Sequence, residues 1–441
     1  MALSAPFWSW AELRSCITPF GLLEDIECNL RLRMSVDSSE KAKWLLLLPR
    51  PSTESTLHSL KVAYGPSLEA AFRDASRQTS ITRAVTVLDI GLACNSPWML
   101  SISKLNELFG LLYKLSCMIC VDLQIDILYD NDVDYRFFLF AKDFSDQRAR
   151  PENTAAALRS DLKKVAQCSR SWTRVCSVQS EVGEDLLQQF LHYRGELGGK
   201  PVPKLEISRL PGGISIVLSK DEISSNAEPP PDPTKQHFSV AVGGTFDHLH
   251  AGHKLLLTMT ALLCISNPGK DKDYPRCLTI GITGDTLLEK KAYKDHMENW
   301  HLRQRSVASF LTNFLLLSAP HHNLSGVKDS TSSSGRKIVA LFNAQLEIRY
   351  VEIFDPFGPT ITDPDITALV ISAETRSGGE AVNEKRQGKE WQTLEVFEIG
   401  VLDAEDETAT GNSEDRAETF QNKLSSTQIR SRIQLKLARE H

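Results

Sequence analysis

The sequence predicts an α/β protein, with a doubly wound parallel sheet in its C-terminal part and a mixed α/β arrangement in its N-terminal part. Three observations carry the prediction. From Phe238 onward, short apolar strand-like runs alternate with helical patterns, the order that parallel strands joined by crossover helices produce. At the head of that series stands Val240-Ala-Val-Gly-Gly-Thr-Phe-Asp-His-Leu-His-Ala-Gly-His253, a strand that breaks at paired glycines and resumes as a helix. Just before it, Ser224-Ser-Asn-Ala-Glu-Pro-Pro-Pro-Asp-Pro-Thr-Lys235 is too rich in proline for regular structure and reads as an extended linker.

At 441 residues the chain exceeds one ordinary core. The expected division is an accessory α/β domain over 1–222, a linker over 223–236 and a second domain over 237–441. In the first part, Ala84 to Ile90, Val121 to Tyr129 and Arg136 to Ala141 read as strands, and Asn106 to Leu115 as a helix. Ala155 to Ala166 and Glu184 to Tyr193 are further helices, the second closed by Gly195, while Leu205 to Leu210 and Ile214 to Leu218 are expected to pair as a hairpin around Pro211-Gly-Gly213. No catalytic constellation stands in this part. In the second, Phe238, Val240 and Val242 alternate as a buried strand, and Leu255, Leu256, Met259, Leu262 and Leu263 recur at helical spacing. Cys277 to Ile282, Glu347 to Ile353, Ala368 to Ile371 and Leu394 to Phe397 follow as strands, with helices at Gln304 to Leu317 and Glu380 to Lys389. His321 to Lys337, rich in Ser and Gly, and the acidic Asp403 to Glu418 read as loops.

A net charge of -6 argues against a broad nucleic-acid-binding surface but leaves room for a local basic pocket. Nine scattered cysteines without a paired framework fit a reducing compartment, and Cys117-Met-Ile-Cys120, inside an apolar run, reads as buried thiols. No apolar segment reaches the roughly 18 residues of a membrane span. The opening residues, with Glu12, Glu24 and Asp25, lack the order of a secretory signal, so a cytoplasmic location is expected, with nuclear or organelle-surface association left open.

Chemistry gathers at the glycine turn. Gly243 and Gly244 allow close backbone approach, and the unpaired amides of the helix starting near Gly252 favour an anion, with phosphate the natural guest. The spacing of His248, His250 and His253 is also compatible with a metal cluster, or with incidental histidines beside a turn. Near the other end, Leu424-Ser-Ser-Thr-Gln-Ile-Arg430 reads as a capped helix start, with Ser425 or Ser426 as the cap and Arg430 on the same face as Ser426.

Taken together, His250-Ala-Gly-His253 and Ser425-Ser-Thr-Gln-Ile-Arg430 resemble the HxGH and ISSTxIR signatures of the nucleotidyltransferase superfamily. Gly244-Thr-Phe-Asp247, Asp355-Pro-Phe-Gly-Pro359, Ser372-Ala-Glu-Thr375 and Gly378-Gly-Glu-Ala-Val-Asn-Glu-Lys-Arg386 narrow the resemblance to the eukaryotic phosphopantetheine adenylyltransferases, in a monofunctional form related to the adenylyltransferase domain of bifunctional coenzyme A synthase. The resemblance implies a Rossmann-like nucleotidyltransferase fold and a reaction between ATP and 4'-phosphopantetheine that gives dephospho-coenzyme A and pyrophosphate. No G-x-x-x-x-G-K-[ST] motif occurs, so the following kinase step is expected of a separate protein, with a complex of coenzyme A biosynthesis enzymes as a possible association.

The resemblance also implies roles. His253 would bind the phosphates and stabilise charge at the α-phosphorus, His250 would frame the nucleotide, and Thr245 would place a hydroxyl near the attacking phosphate. Lys291, rather than Lys290, would bridge the α-phosphate and the incoming phosphate. Gly243, Gly244, Ser425, Ser426, Thr427 and Arg430 would complete the ATP site. Arg376, Asn383 and Arg386 would touch phosphate or adenine, and Arg303 or Arg305 would add a clamp. Magnesium is expected to enter with ATP, no metal site of the protein's own is expected, and a phosphate nucleophile needs no strong base. The alternatives are transfer to another phosphorylated acceptor, or an inactive scaffold.

Overall fold

The computed structural model describes residues 41–50, 55–94, 101–125, 133–142, 160–196, 205–213, 237–265, 275–318, 324–330, 332, 335–342, 345–400 and 425–440. Within them the chain forms two sheets. β1 (Lys43–Leu48), β2 (Thr86–Cys94), β3 (Val133–Ala141), β4 (Arg174–Val178) and β5 (Glu206–Leu210) make the first, in the order β3-β2-β1-β4-β5 with every neighbouring pair parallel. The run of leucines from Leu45 to Leu48 is fully buried, as expected of a parallel strand covered on both faces.

The helices of this half are α1 (Leu57–Thr82), α2 (Ile102–Asp122), α3 (Leu162–Gln167) and α4 (Glu181–Gly195). Each begins on a side-chain cap, Thr56, Ser101, Asp161 and Ser180 respectively, that satisfies an otherwise orphaned backbone amide. α1 continues through Pro66, which cannot donate to the carbonyl of Val62. Gly213 passes so close there that a Cβ would stand 2.0 Å from the Val62 oxygen, a packing only glycine permits.

Three expectations change here. Val121 and Asp122 close α2 instead of opening a strand, because the buried helical face Leu105, Leu108, Phe109, Leu112, Leu115 and Ile119 runs on to Cys120. Residues 126–129 of that expected strand lie outside the described residues. Glu206–Leu210 adds in parallel to β4 and extends the sheet; the other arm of the expected hairpin, 214–218, is outside the described residues, as are 155–159, the linker at 224–235 and the acidic stretch 403–418. Leu324–Asp329, read as loop, is an edge strand paired antiparallel to its neighbour, with Val327 packed against the core.

The second sheet holds β6 (Ser239–Gly244), β7 (Arg276–Thr283), β8 (Leu324–Asp329), β9 (Lys337–Phe342), β10 (Leu346–Ile353), β11 (Ala368–Ser372) and β12 (Glu395–Ile399) in the order β12-β11-β6-β7-β10-β9-β8. β12, β11, β6, β7 and β10 are parallel, as predicted, while β9 and β8 pair antiparallel at one edge, so the sheet as a whole is mixed. Its helices are α5 (Ala251–Ile265), α6 (Trp300–Ser318), α7 (Arg376–Gln387) and α8 (Ser426–Glu440). From β6 the chain winds outward to β7 and β10, then returns to lay β11 on the other side of β6. Such a reversal opens a crevice at the carboxyl ends of the strands, where ligands of α/β sheets bind.

α5 stands between the two sheets. It packs against β6 and β7 on one side and against α2 on the other, while α6 reaches β3. A helix between two layers must be apolar all round, and Leu255, Leu257, Met259, Leu262, Leu263 and Ile265 are all buried. One hydrophobic core accordingly runs from β1 and β3 through α5 to β7 and β10. No helix among the described residues is long and apolar enough to cross a membrane.

Candidate functional site

The turn after β6 is shaped for close approach. A Cβ on Gly243 would meet nothing within 4 Å, so the backbone there is open. Beside it, a Cβ on Gly244 would stand 3.0 Å from the ring of Phe246. Phe246 and His248 adopt positive φ values of 52° and 46°, which reverse the chain direction within a few residues. Phe246 is fully buried and lies against the His253 ring, with centroids 5.4 Å apart.

His250 accepts the first intrahelical bond of α5, from the Lys254 amide at 2.9 Å. The amides of Ala251, Gly252 and His253 therefore have no acceptor within the helix and present partial positive charge at its start. The imidazoles of His250 and His253 stack over this turn, with centroids 3.9 Å apart and planes 23° apart. A Cβ on Gly252 would stand 3.3 Å from His250 Cε1, so the glycine between them leaves room for the stack. Both Nδ1 atoms are buried without a hydrogen-bond partner among the described residues. Burial, then the nearby His248, pushes the His253 imidazole down to about 3, and burial with His253 beside it pushes His250 well below its ordinary value. At neutral pH these are two neutral rings beside a helix N-terminus.

His248 is occupied differently. Its Nε2 pairs with the carbonyl of His296 at 2.8 Å, and its amide donates to Glu298 Oε2 at 2.9 Å. It braces the turn against the segment before α6. Among the described residues, no group of three or more His, Cys, Asp or Glu is arranged to hold a metal ion.

The two motifs meet through Asp247. This carboxylate is fully buried, accepts from the Glu298 amide at 2.9 Å through Oδ1, and pairs with Arg430 Nη1 through Oδ2. Its backbone carbonyl accepts from Ser426 Oγ at 2.8 Å. The start of α8 is thereby fastened to the turn that leads into α5. Ser425 is the cap of α8, accepting from the Gln428 amide at 3.3 Å, which settles which serine plays that part. Thr427 Oγ1 accepts from Arg430 Nη2 at 3.2 Å, and Arg430 Nε donates to the carbonyl of Ala292 at 3.0 Å. Arg430 is nearly fully buried and braces α8, the glycine turn and the lysine-bearing loop together. Asp247 lies in Gly244-Thr-Phe-Asp247, and the sequence signal for its pair is an acid in one motif and an arginine on the Ser426 face of the other.

Lys290 and Lys291 are exposed, next to the Ala292 carbonyl that Arg430 holds. Neither makes a side-chain hydrogen bond or ion pair among the described residues, whereas the residues around them are tied down. Thr245 is half-buried, and its carbonyl accepts from Arg303 Nη1 at 2.7 Å.

Several residues expected to touch a ligand are bonded within the fold. Arg303 is fully buried and also donates to the Glu298 carbonyl at 2.9 Å and to Asp285 Oδ1 at 2.7 Å, so it holds the turn from below. Arg305 is exposed and bonds its own helix at His301. Arg386 is fully buried and directs Nε, Nη1 and Nη2 to the carbonyls of Gln392, Thr360, Asp363, Pro364 and Ile366. All five of its N–H donors are engaged, which leaves none for a substrate. Asn383 bridges the amide and carbonyl of Leu394 at 2.8 and 3.0 Å and so fixes the entry to β12. Arg376 remains at the surface by the end of β11, in a bidentate pair with Glu398 at 2.6 and 2.7 Å.

A family described as a domain of unknown function (DUF8446) matches residues 34–216, the segment that contains the first sheet. An uncharacterized protein of Schizosaccharomyces pombe is 36% identical over 162 residues, covering 37% of this chain and 39% of that protein. A phosphopantetheine adenylyltransferase of Saccharomyces cerevisiae is 32% identical over 210 residues, covering 48% of this chain and 53% of the relative. One from Pyrobaculum aerophilum is 29% identical over 164 residues, covering 37% of this chain and 80% of the relative. The chain thus spans about half or less of the two yeast relatives it matches.

Proposed function

We propose that this protein transfers the adenylyl group of Mg-ATP to 4'-phosphopantetheine, giving dephospho-coenzyme A and pyrophosphate. One observation supports this reading above the others. Two stacked, neutral imidazoles with unpartnered nitrogens stand at the start of α5, and Asp247 fastens a second helix start, that of α8, to the same turn. Helix starts and convergent donors suit a polyphosphate, and the adenylyltransferases among the relatives supply the reaction by likeness.

In the proposed reaction an oxygen of the acceptor phosphate attacks the α-phosphorus of ATP, the bond from that phosphorus to the bridging oxygen breaks, and pyrophosphate leaves with the electron pair. The nucleophile is already anionic, so no proton need be removed. What the chain supplies is position and charge stabilisation. His253 and the amides of Ala251 to His253 meet charge as it builds at the α-phosphate; His250, stacked on His253, frames the nucleotide. Lys291 is free to swing toward the entering and transferring groups, and Thr245 lines the turn beneath them. Ser425, Ser426 and Thr427 present the α8 start to the outer phosphates. Arg430 holds that start in place through Asp247. Anion binding at the exposed edges of the imidazoles would favour their protonated forms, so ATP is expected to bind with proton uptake.

The test is acceptor-dependent turnover. Purified full chain with ATP and 4'-phosphopantetheine should release pyrophosphate, and release should stop when the acceptor is omitted. Release only with a different phosphorylated acceptor would reassign the substrate. No release with any acceptor would leave a scaffold.

A further inference from the structure

α5 carries His253 and opens directly after His250, yet apolar burial between two sheets is non-directional. It fixes the depth of a helix better than its rotation about its own axis. Slipping the register by one residue would turn His250 and His253 by about 100° away from the crevice. Some polar contact must define the rotation.

Lys254, next to His253, is the one lysine, arginine or carboxylate in the α5 sequence. It is buried, and its Nζ donates to Asp134 Oδ1 at 2.7 Å and to the carbonyl of Tyr135 at 3.2 Å, both on β3 of the first sheet. The ammonium also lies over the Tyr135 ring, 5.1 Å from its centroid. Asp134 is in turn gripped by Arg136 at 2.6 Å, and Arg136 stands 3.4 Å from Asp89, which Arg170 holds at 2.7 Å. The lysine therefore docks on a fixed carboxylate. Burial pushes the Asp134 carboxyl upward, but Lys254 and Arg136 outweigh it and hold the group ionised, below the usual carboxylate range. Because the Lys254 amide closes the first turn of α5 on His250, the anchored side chain leaves the helix from the turn that bears both rings.

We propose that Lys254 is a positioning residue: its pair with Asp134 lets the first sheet set the rotation of α5, and with it the place of His250 and His253 in the crevice. The proposal rests on the nucleotidyl-transfer reading for its effect on turnover, and on geometry alone for its effect on the rings. It gives the first sheet a role in the site without any catalytic residue of its own. A buried ion pair that specifies one arrangement among several is a known use of such pairs.

The experiment uses full-chain Lys254→Met, Lys254→Arg, Asp134→Ala and the double variant Asp134→Ala/Lys254→Met, each checked for cooperative unfolding. With ATP and 4'-phosphopantetheine, Lys254→Met and Asp134→Ala should each lower kcat by about tenfold or more, because small misplacements of reacting groups are costly, while KM for ATP stays within about threefold. The double variant should be no worse than the worse single one, and Lys254→Arg should recover most of the loss. Asp134→Ala keeps the lysine charge, so wild-type kcat in that variant would overturn the proposal and assign any Lys254 effect to its charge. If Asp134→Ala does not fold, Asp134→Asn should show a smaller loss in the same direction, and an unchanged kcat there would count against the proposal equally. NMR titration of the histidine rings reads placement without turnover. His250 and His253 should resist protonation in the wild type and titrate nearer the ordinary range in the Asp134 variant; unchanged titration would overturn the proposal. An inactive wild type with shifted titrations would instead sink only the adenylyl-transfer reading.

Discussion

In the first sheet, Asp89 is fully buried on β2 and accepts from Arg170 at 2.7 and 3.0 Å and from Trp172 Nε1 at 2.8 Å, with Arg170 also reaching Asn313 of α6. In the second sheet, His250 and His253 lie at the mouth of a strand-to-helix turn, and their Nδ1 atoms have no partner among the described residues. Both regions place polar atoms out of water. The difference is where the compensating groups come from. Around Asp89 the protein supplies them, so the network holds layers together. Around the imidazoles no such groups stand among the described residues, and the free amides of the helix start beside them suit an anion. Asp247 and Arg430 stand between these cases, being fully partnered themselves while holding the unpartnered groups in place.

The contrast predicts separable effects. Asp89→Ala should cost about 3–5 kcal/mol of stability, because it strands a buried arginine. Denaturant unfolding measures it, and a loss below about 1 kcal/mol would place Asp89 among the surface pairs. His253→Ala should lower kcat by roughly 10²-fold or more, equivalent to about 2.7 kcal/mol of barrier, with an unfolding midpoint close to the wild type. Near-normal turnover in that variant would remove the histidine from the chemistry. Arg386→Met should destabilise by about 1–3 kcal/mol through its abandoned carbonyls, yet leave KM for ATP unchanged, which steady-state kinetics can check.

Acid titration offers a subtler comparison. His253 is held at about 3 in the folded protein, against an ordinary value of 6.5. Between those values the unfolded chain binds a proton that the folded chain refuses, so stability contributed by the neutral ring is intact above 6.5 and declines as pH falls toward 3. His253→Asn should therefore gain melting temperature relative to the wild type on going from pH 7 to pH 5. A constant difference between the two proteins would mean that the ring is hydrated. Arg376→Ala should change stability least of all, since its pair with Glu398 is exposed and screened; a marked rise in KM for either substrate would give Arg376 a part in binding.

Much of the second sheet was legible because its strands are short apolar runs set apart by helical spacing, and because Gly243 and Gly244 punctuate the turn that matters. The first sheet was harder. Lys43–Leu48 carries no alternation, being buried on both faces, and α1 contains Gly65-Pro66, a pair that ordinarily argues against a helix interior. A buried face of Leu60, Tyr64, Leu68, Ala71 and Phe72 spans the proline, and Gly213 packs against the Val62 carbonyl that Pro66 cannot pair with. The same limit applied at the site. His250 and His253 lie within one turn of each other, so local spacing sufficed to find them. Asp247 and Arg430 meet from distant parts of the chain, and Arg386 and Asn383 satisfy backbone groups of loops whose shape no periodicity encodes. A polar residue on a helix looks the same in sequence whether it greets a ligand or a carbonyl of its own fold.

The decisive measurement follows the α-phosphate. Full-chain protein given ATP labelled at the α-phosphorus, with 4'-phosphopantetheine, should yield labelled dephospho-coenzyme A, while label at the γ-phosphorus should leave in pyrophosphate; His253→Ala, melting like the wild type, should form the product at roughly one-hundredth of the rate or less. Absence of α-label from the acceptor with folded wild-type protein, or equal product formation by His253→Ala, would contradict this account of the crevice.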